Sequence, residues 1–423
     1  MEGILISHLQ HLPAILSKLN HWVLVKEVKR TVVRIQKGPG MKRFVLIMLA
    51  SIVAISICGA SASSAADRPF RYLSPRPGAR YVSPKTCLLF RKGEILENRE
   101  IPWKTAIRVE GSISGLHQGK WVRSDDSRTI IFHPDQEFEL GETVTVSFNL
   151  QDSKGDTPYS HHFRIKERIV TDPPEIFDDY YQDDPLSSQS ERAITGYHMD
   201  RDAIKKRYQE NNTFIPPPDF PNANVTVCDN PADGRIFLAN KRARWIDNPT
   251  YYLMILNNEG FPLFFRRTVT PGNDFKKQAN GMITYALRHT FHFYVMDNTY
   301  TVVDSFTALN DLKLDFHDFI MLDNGNVLLI AKEFDIIDMG ELIEDGQPNV
   351  KLVSNVVQEI DPSRNLVFQW RTIDHFDILD TNIDLTRRRV DYAHINAVEV
   401  DYDGNLLISS RNMSEVTKIN RET

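Results

Sequence analysis

FHDFIMLDNGNVLLIAKE, running from Phe316 to Glu333, and AHINAVEVDYDGNLLISSR, from Ala393 to Arg411, carry one pattern twice. Each is an apolar-rich strand, then Asn-Gly or Asp-Gly, then a second apolar strand. Those dipeptides predict a two-residue type I′ hairpin turn, because both of its central residues need positive φ. With Gly325 and Gly404 aligned, His317 and Asn396 stand eight residues before the glycines, and Lys332 and Arg411 seven after. In an antiparallel hairpin those flanking positions meet at the open end. Each hairpin is therefore expected to set an imidazole or an amide beside a fixed cation, an arrangement suited to an anion.

The same offset recurs upstream. Lys241 lies seven residues after Gly234, and Arg288 seven after Gly281. Strand ends that merely reach solvent carry such charges too, and this is the competing reading for Lys241 and Arg288 above all. The glycine spacings are 47, 44 and 79 residues. A period of about 40–50 residues, with several short strands per unit, reads as β-propeller blades. The wide last interval reads as one unit with a long insertion, or as two units with one degenerate. The fold class expected is all-β: an N-terminal immunoglobulin-like β-sandwich followed by an incomplete β-propeller of roughly four to four and a half blades. Successive blades would then turn their basic strand ends toward one axis. The chain stops at VTKINRET, in mid-blade on this reading, which predicts a fragment with an open sheet edge.

Residues 1–40 read as a spurious extension upstream of an internal start. Residues 41–66 hold Lys42 and Arg43, an apolar run and small residues in an Ala-x-Ala pattern, the layout of a secretory signal peptide. A retained signal anchor is the alternative. Short strands with Gly, Pro and Asp between them place the sandwich over 67–170. An acidic, Pro-containing linker covers 171–222, and 223–423 is the partial propeller. Residues 1–66 contain eight Lys/Arg against two Asp/Glu, so the remainder carries −12 where the whole chain carries −6. So acidic a secreted protein is not expected to bind nucleic acid or, after signal cleavage, membrane by bulk charge. Cys87 and Cys228 fall in different expected domains and are open to pairing in an oxidising compartment. No metal-ligand spacing appears among Cys and His, and no Gly-rich phosphate loop precedes a helix.

The segments HDFIMLDNGNVLLIAKE, VFQWRTIDHF and DYAHINAVEVDYDGNLLISSRNMSEVTKI resemble the bacterial arylsulfotransferases, which move sulfate between phenols without a nucleotide donor. The resemblance runs from about Val225 to the end and is sharpest after Phe316. It implies a secreted, periplasmic or extracellular propeller with an N-terminal sandwich that assists homodimerisation. It implies an aryl sulfate donor and a phenolic acceptor, with no cofactor and no metal. His317, His394, Asn396 and Arg411 match the family's active-site residues; Lys332, read from its offset after Gly325, is the expected substrate-binding cation. The family's nucleophilic histidine lies in a later blade, so no residue here takes that role, and the chain alone is expected to show little or no transfer. Cations and amides would stabilise charge on three sulfuryl oxygens, and a histidine would act as general acid and base. A His317–Asp318 structural pair is the bland reading of that position. His375, His289 and His292 read as structural, and His133, His161 and His162 belong to the sandwich. A non-catalytic propeller and sandwich module, binding an acidic ligand or serving at a cell surface, and an inactive gene fragment are the alternatives.

Overall fold

In the computed structural model the residues described are 70–91, 107–152, 155–170, 216–221, 223–241 and 250–423. The upstream extension, the signal peptide and most of the linker lie outside them. The described chain is all-β, broken only by short 3-10 turns. Among the described residues no helix is long and apolar enough to cross a membrane.

Eight strands come first: β1 (Tyr72–Ser74), β2 (Leu88–Arg91), β3 (Ile107–Gly111), β4 (Gly115–Leu116), β5 (Gly119–Arg123), β6 (Thr129–Pro134), β7 (Thr143–Asp152) and β8 (Gly155–Arg164). They form two antiparallel sheets, ordered β1-β2-β6-β5 and β4-β3-β7-β8. In β3, Ile107, Val109 and Gly111 are buried while Arg108 and Glu110 face water, the period-2 signature of a half-buried strand. Phe90, Phe132, Phe148 and Phe163 fill the space between the sheets.

Fifteen further strands make four sheets. The first holds β9 (Ile236–Ala239), β10 (Tyr251–Leu256) and β11 (Pro262–Thr268). The second holds β12 (Gly272–Lys277), β13 (Ile283–Leu287), β14 (His292–Met296) and β15 (Val302–Phe306). The third holds β16 (Lys313–Met321), β17 (Val327–Ile337), β18 (Val350–Ile360) and β19 (Leu366–Arg371), with β20 (Arg389–Asp391) parallel to β18. The last holds β21 (Ile395–Val400), β22 (Leu406–Ser410) and β23 (Glu415–Ile419). Within each sheet spatial order follows chain order, and β12 lies against both β9 and β16, while β16 also lies against β21. β17 is central and covered on both faces, which is why it reads VLLIAKEFDII rather than as an alternation. The long glycine interval is one unit with an insertion: residues 372–394 add two 3-10 turns and β20 to the third sheet.

The turns differ from the expected type. Gly325 and Gly404 have φ of +86° and +80°, but Asn324 and Asp403 do not share the positive φ that a type I′ turn demands. The amide of Gly325 donates to the Leu322 carbonyl and that of Leu322 to the Asn326 carbonyl, at 3.0 and 2.8 Å. This is a three-residue loop, a type I turn closed by one left-handed residue. The Asn and Asp side chains serve another purpose. Asn324 Oδ1 accepts from the Asn326 amide and Asp403 Oδ1 from the Asn405 amide, at 3.0 and 3.1 Å, local bonds that these residues favour in turns. The same two backbone bonds recur around Gly260, Gly281, Tyr300, Arg364 and Gly404. One loop design therefore closes six hairpins of the four sheets. A Cβ on Gly404 would meet nothing within 4 Å, so Gly404→Ala should cost about 1 kcal/mol from backbone strain alone, read as a lowered urea midpoint with an unchanged slope.

The N-terminal sheets dock on the third C-terminal sheet. Tyr72 stacks on Phe368 at 5.3 Å, and its hydroxyl donates to the Gln369 carbonyl and accepts from the Gln369 amide, at 2.7 and 2.8 Å. Arg91 Nη2 donates to the Val367 carbonyl at 2.7 Å, and Arg128 grips Glu422 through two bonds of 3.0 and 2.9 Å. Tyr72, Leu89 and Ile131 thus join the same core cluster as Phe319, Leu329 and Phe368.

Candidate functional site

The site is built from two irregularities in neighbouring strands. In β16, Leu314 pairs with Ala331 and the next pair is Phe319 with Leu329. Four residues, Asp315 to Asp318, therefore oppose the single residue Ile330, a large bulge. In β21, Ile395 pairs with Ser410 and Ala397 with Ser409, so Asn396 is the extra residue of a second bulge. Bulges re-aim side chains that a regular strand would send to one face or the other.

Asp315 organises the first bulge. It is 1% exposed and accepts from the His317 amide at 2.9 Å. Its carboxylate stands 2.5 Å from His317 Nδ1 and 3.0 Å from the Lys332 ammonium. Burial alone would raise the Asp315 pKa, but the Lys332 charge and the His317 bond outweigh it and hold the carboxyl below its usual range. The partner of His317 is therefore Asp315 and not the adjacent Asp318. Asp318 turns the other way. Its Oδ1 takes an ion pair with Lys276 at 2.5 Å, and its Oδ2 accepts the Val398 amide at 2.9 Å, which ties β16 to β12 and to β21.

His394 opens the second hairpin in the left-handed region, at φ +51°. Its Nδ1 lies 2.8 Å from Asp391 Oδ2. The backbone on either side is fixed: Asn355 Oδ1 accepts the Ile395 amide at 3.1 Å, and the His394 carbonyl accepts the Arg411 amide at 3.0 Å. The rings of His317 and His394 then meet edge to face, with centroids 5.1 Å apart. An ionised carboxylate only accepts, so Asp315 and Asp391 each hold the proton on Nδ1 and leave Nε2 as the acceptor of the neutral ring. Two carboxylate-oriented histidines thus face each other across neighbouring sheets.

Arg411 begins a 3-10 turn just past β22 and is exposed. Neither its guanidinium nor the Asn396 amide takes a hydrogen bond or ion pair among the described residues. Lys332 is placed differently. It is 6% exposed and its charge is committed to Asp315. Lys241 directs its ammonium at the Gly272 carbonyl, 3.3 Å away, and at Asn273 Oδ1. Although the residue as a whole is exposed, that inward-turned group is desolvated, and with Arg288 nearby its pKa is pushed down to about 8. Lys241 and Arg288 therefore belong together, one sheet away from the histidines. Among the other imidazoles, His375 stacks on Trp370 at 4.7 Å, with its pKa pushed down to about 4 by burial and the Arg76 charge. His289 bonds Thr270 Oγ1 at 2.8 Å. Cys87 is buried and free, its thiol pushed up to about 12 by burial, and Cys228 is exposed and free. Among the described residues no group of three or more His, Cys, Asp or Glu could hold a metal ion.

Residues 236–423 match the family model for arylsulfotransferase (ASST). This part of the chain belongs to the arylsulfotransferase family. The arylsulfotransferase segment begins at β9 and includes both hairpins, both histidines, Lys241, Arg288, Lys332 and Arg411. No curated protein matches the chain. Among solved structures, the LD transpeptidase LdtMt1 in complex with imipenem aligns at 15% identity and a TM-score of 0.18, over 22% of this chain and 38% of that one. Surface layer protein SbsC, domains 1–6, aligns at 8% identity and a TM-score of 0.19, over 82% of this chain and 53% of that one. The chain spans well under two thirds of either structure, and alignments of this quality identify no shared fold with the arylsulfotransferase segment.

Two residues of this site escape the sequence reading, Asp315 and Asp391. A signal for the first exists: Asp-x-His within a strand puts both side chains on one face. Asp391 has no comparable pattern, since it stands three positions before His394, whose backbone is left-handed.

Proposed function

We propose that this chain is a secreted aryl-sulfate sulfotransferase, and that the facing pair of carboxylate-held histidines is its acid–base centre. The observation that carries the reading is the 5.1 Å approach of His317 and His394, each fixed through Nδ1 by its own aspartate. The four C-terminal sheets support a propeller reading. Each runs in chain order, and β9, β12, β16 and β21 neighbour one another in series, as the inner strands of blades would. The two N-terminal sheets, in turn, support the sandwich. Export follows from residues 41–66, and homodimerisation through the sandwich from the family resemblance.

In the reaction, the S–O bond of an aryl sulfate breaks and the phenolate leaves with a proton from Nε2 of a histidine in its imidazolium form, which becomes neutral. In the second half the acceptor phenol gives its proton back as its oxygen bonds sulfur. The sulfuryl group rests on a histidine nitrogen between the halves, giving ping-pong kinetics; that histidine is not assigned to a residue of this chain. Charge spreads over three sulfuryl oxygens in transfer. Arg411, whose amide bonds the His394 carbonyl, and Asn396, in the bulge of β21, would take it.

The test is turnover of 4-nitrophenyl sulfate with phenol, in protein expressed from the complete reading frame. Release of 4-nitrophenolate should match phenyl sulfate mole for mole. Arg411→Ala is expected to lower kcat about 100-fold with little change in folding, the size seen when one transition-state donor is lost. Unchanged turnover in that variant would remove Arg411 from the site. Saturable binding without turnover would favour the non-catalytic module.

A further inference from the structure

Two bulges bring the histidines together, and one aspartate anchors both. The four residues Asp315 to Asp318 leave the ladder of β16 and β17, so no regular pairing sets their path. At one end Asp315 is held by Lys332. At the other, Asp318 Oδ2 accepts the Val398 amide at 2.9 Å, two residues past Asn396, the extra residue of β21. Asp318 Oδ1 lies 2.5 Å from the Lys276 ammonium, which reaches over from β12. Lys276 thus fixes the carboxylate that both bulged strands share.

β12 is itself shaped for this contact. Asn273 pairs with Ala286 and Lys276 with Thr284, so Asp274 and Phe275 oppose Tyr285 alone, a third bulge. Asp274 sits in the left-handed region at φ +43°, and its Oδ2 lies 3.0 Å from the same ammonium. Burial pushes the Asp274 carboxyl up to about 6 even beside that charge. Lys276 therefore bridges two carboxylates that are largely covered, with side chains 12% and 14% exposed, where a pair is screened less than at the surface. Gln278 ties the same strands by a separate route. Its side chain donates to the Phe319 carbonyl at 3.0 Å and accepts the Met321 amide at 3.1 Å. Phe319 and Met321 lie past the bulge, in the regular ladder. Gln278 therefore keeps β12 against β16 without setting the path of Asp315 to Asp318.

We propose that Lys276 is a positioning residue for the histidine pair: it holds Asp318 and, through it, the two bulges that set His317 against His394. Its kinetic consequence rests on the acid–base reading of that pair; the geometry does not. In the full chain with labelled histidines, nuclear Overhauser cross-peaks between ring protons read the approach directly, and His317→Gln assigns them. Rings with centroids 5.1 Å apart should give a cross-peak. Lys276→Met should abolish it. Lys276→Arg, which keeps a cation in reach of Asp318, should retain it. Asp274→Asn, which removes no link between strands, should retain it as well. The double variant Lys276→Met/Asp274→Asn leaves one carboxylate fewer without its cation, so it should fold well and still lose the cross-peak. Urea melts confirm that each variant is folded. In turnover of 4-nitrophenyl sulfate, Lys276→Met should lower kcat about 100-fold, the scale of a 1 Å misplacement, with KM within about twofold. A cross-peak that persists in the folded double variant, or is missing from the parent, overturns the proposal. So does parental kcat in a variant that has lost the cross-peak. A Lys276-dependent cross-peak in a protein without turnover upholds the positioning and removes the acid–base reading instead.

Discussion

Asp315→Asn is expected to destabilise the protein by about 3 kcal/mol or more at pH 7 and to abolish whatever transfer the site supports. The side chain keeps its shape but loses its charge. The Lys332 ammonium, 6% exposed and 3.0 Å from that carboxylate, is then left buried without it. Breaking one side of a buried pair costs far more than removing both. The double variant Asp315→Asn/Lys332→Met should therefore recover most of the lost stability and none of the activity, because His317 still lacks the carboxylate that orients its ring. A double-mutant cycle from urea denaturation reads the coupling directly. The pH dependence has a definite sign. The folded pKa of Asp315 is depressed, so its contribution is full above the unfolded carboxylate value of about 3.9 and fades as pH falls below it. The gap between parent and Asp315→Asn should shrink in acid. A gap that stays constant from pH 7 to pH 3 would mean that Asp315 is not the charged partner of Lys332.

Asp315 also shows where a linear reading stops. Both hairpins were legible, since alternating or continuous apolar runs about a glycine specify strands and a turn. So was the nearness of His317 to Lys332, which share Asp315, because antiparallel pairing brings flanking positions together. The partner assignments were not. A four-residue bulge at Asp315–Asp318 sets four residues opposite Ile330 alone, and the sequence does not announce where such a break in the ladder falls. His317 next to Asp318 is a sequence neighbour but not a chemical one. The turn type was misread for a related reason. Asn324 and Asp403 are turn residues through a side-chain bond to the amide two positions on, which predicts a turn but leaves its class open. Equally hidden was the docking of the N-terminal sheets. Tyr72 and Gln369 bond across 297 positions, and no local pattern announces such a pair.

Arg371→Met is expected to loosen that docking, at a cost of about 3–5 kcal/mol. Arg371 is buried at the end of β19. Its guanidinium holds Glu333 Oε2 at 3.0 and 2.8 Å, lies 3.3 Å from both Asp374 oxygens, and donates to the carbonyls of Arg80 and Tyr81 at 3.0 Å. It thus closes the third sheet onto the chain between β1 and β2. Without it, Lys166 alone faces Glu333 and Asp335, at 3.4 and 3.2 Å. Arg371→Lys should fail nearly as badly, since one ammonium cannot span a carboxylate and two carbonyls in the geometry of a planar fork. The pH sign here is opposite to that of Asp315. Burial, with the Glu333 charge beside it, pushes Asp335 up to about 7. Its folded pKa stands above the unfolded one, so stability is lost as pH rises from about 4 toward 7, where the group must ionise beside another anion. Removing Arg371 takes away one of the two cations that oppose this. The destabilisation should therefore be largest at pH 8 and clearly smaller at pH 5. It should appear as earlier proteolysis within residues 70–91 or as a urea transition split in two. Equal losses at both pH values, with a single transition, would show that the carboxylates around Arg371 do not respond to its charge.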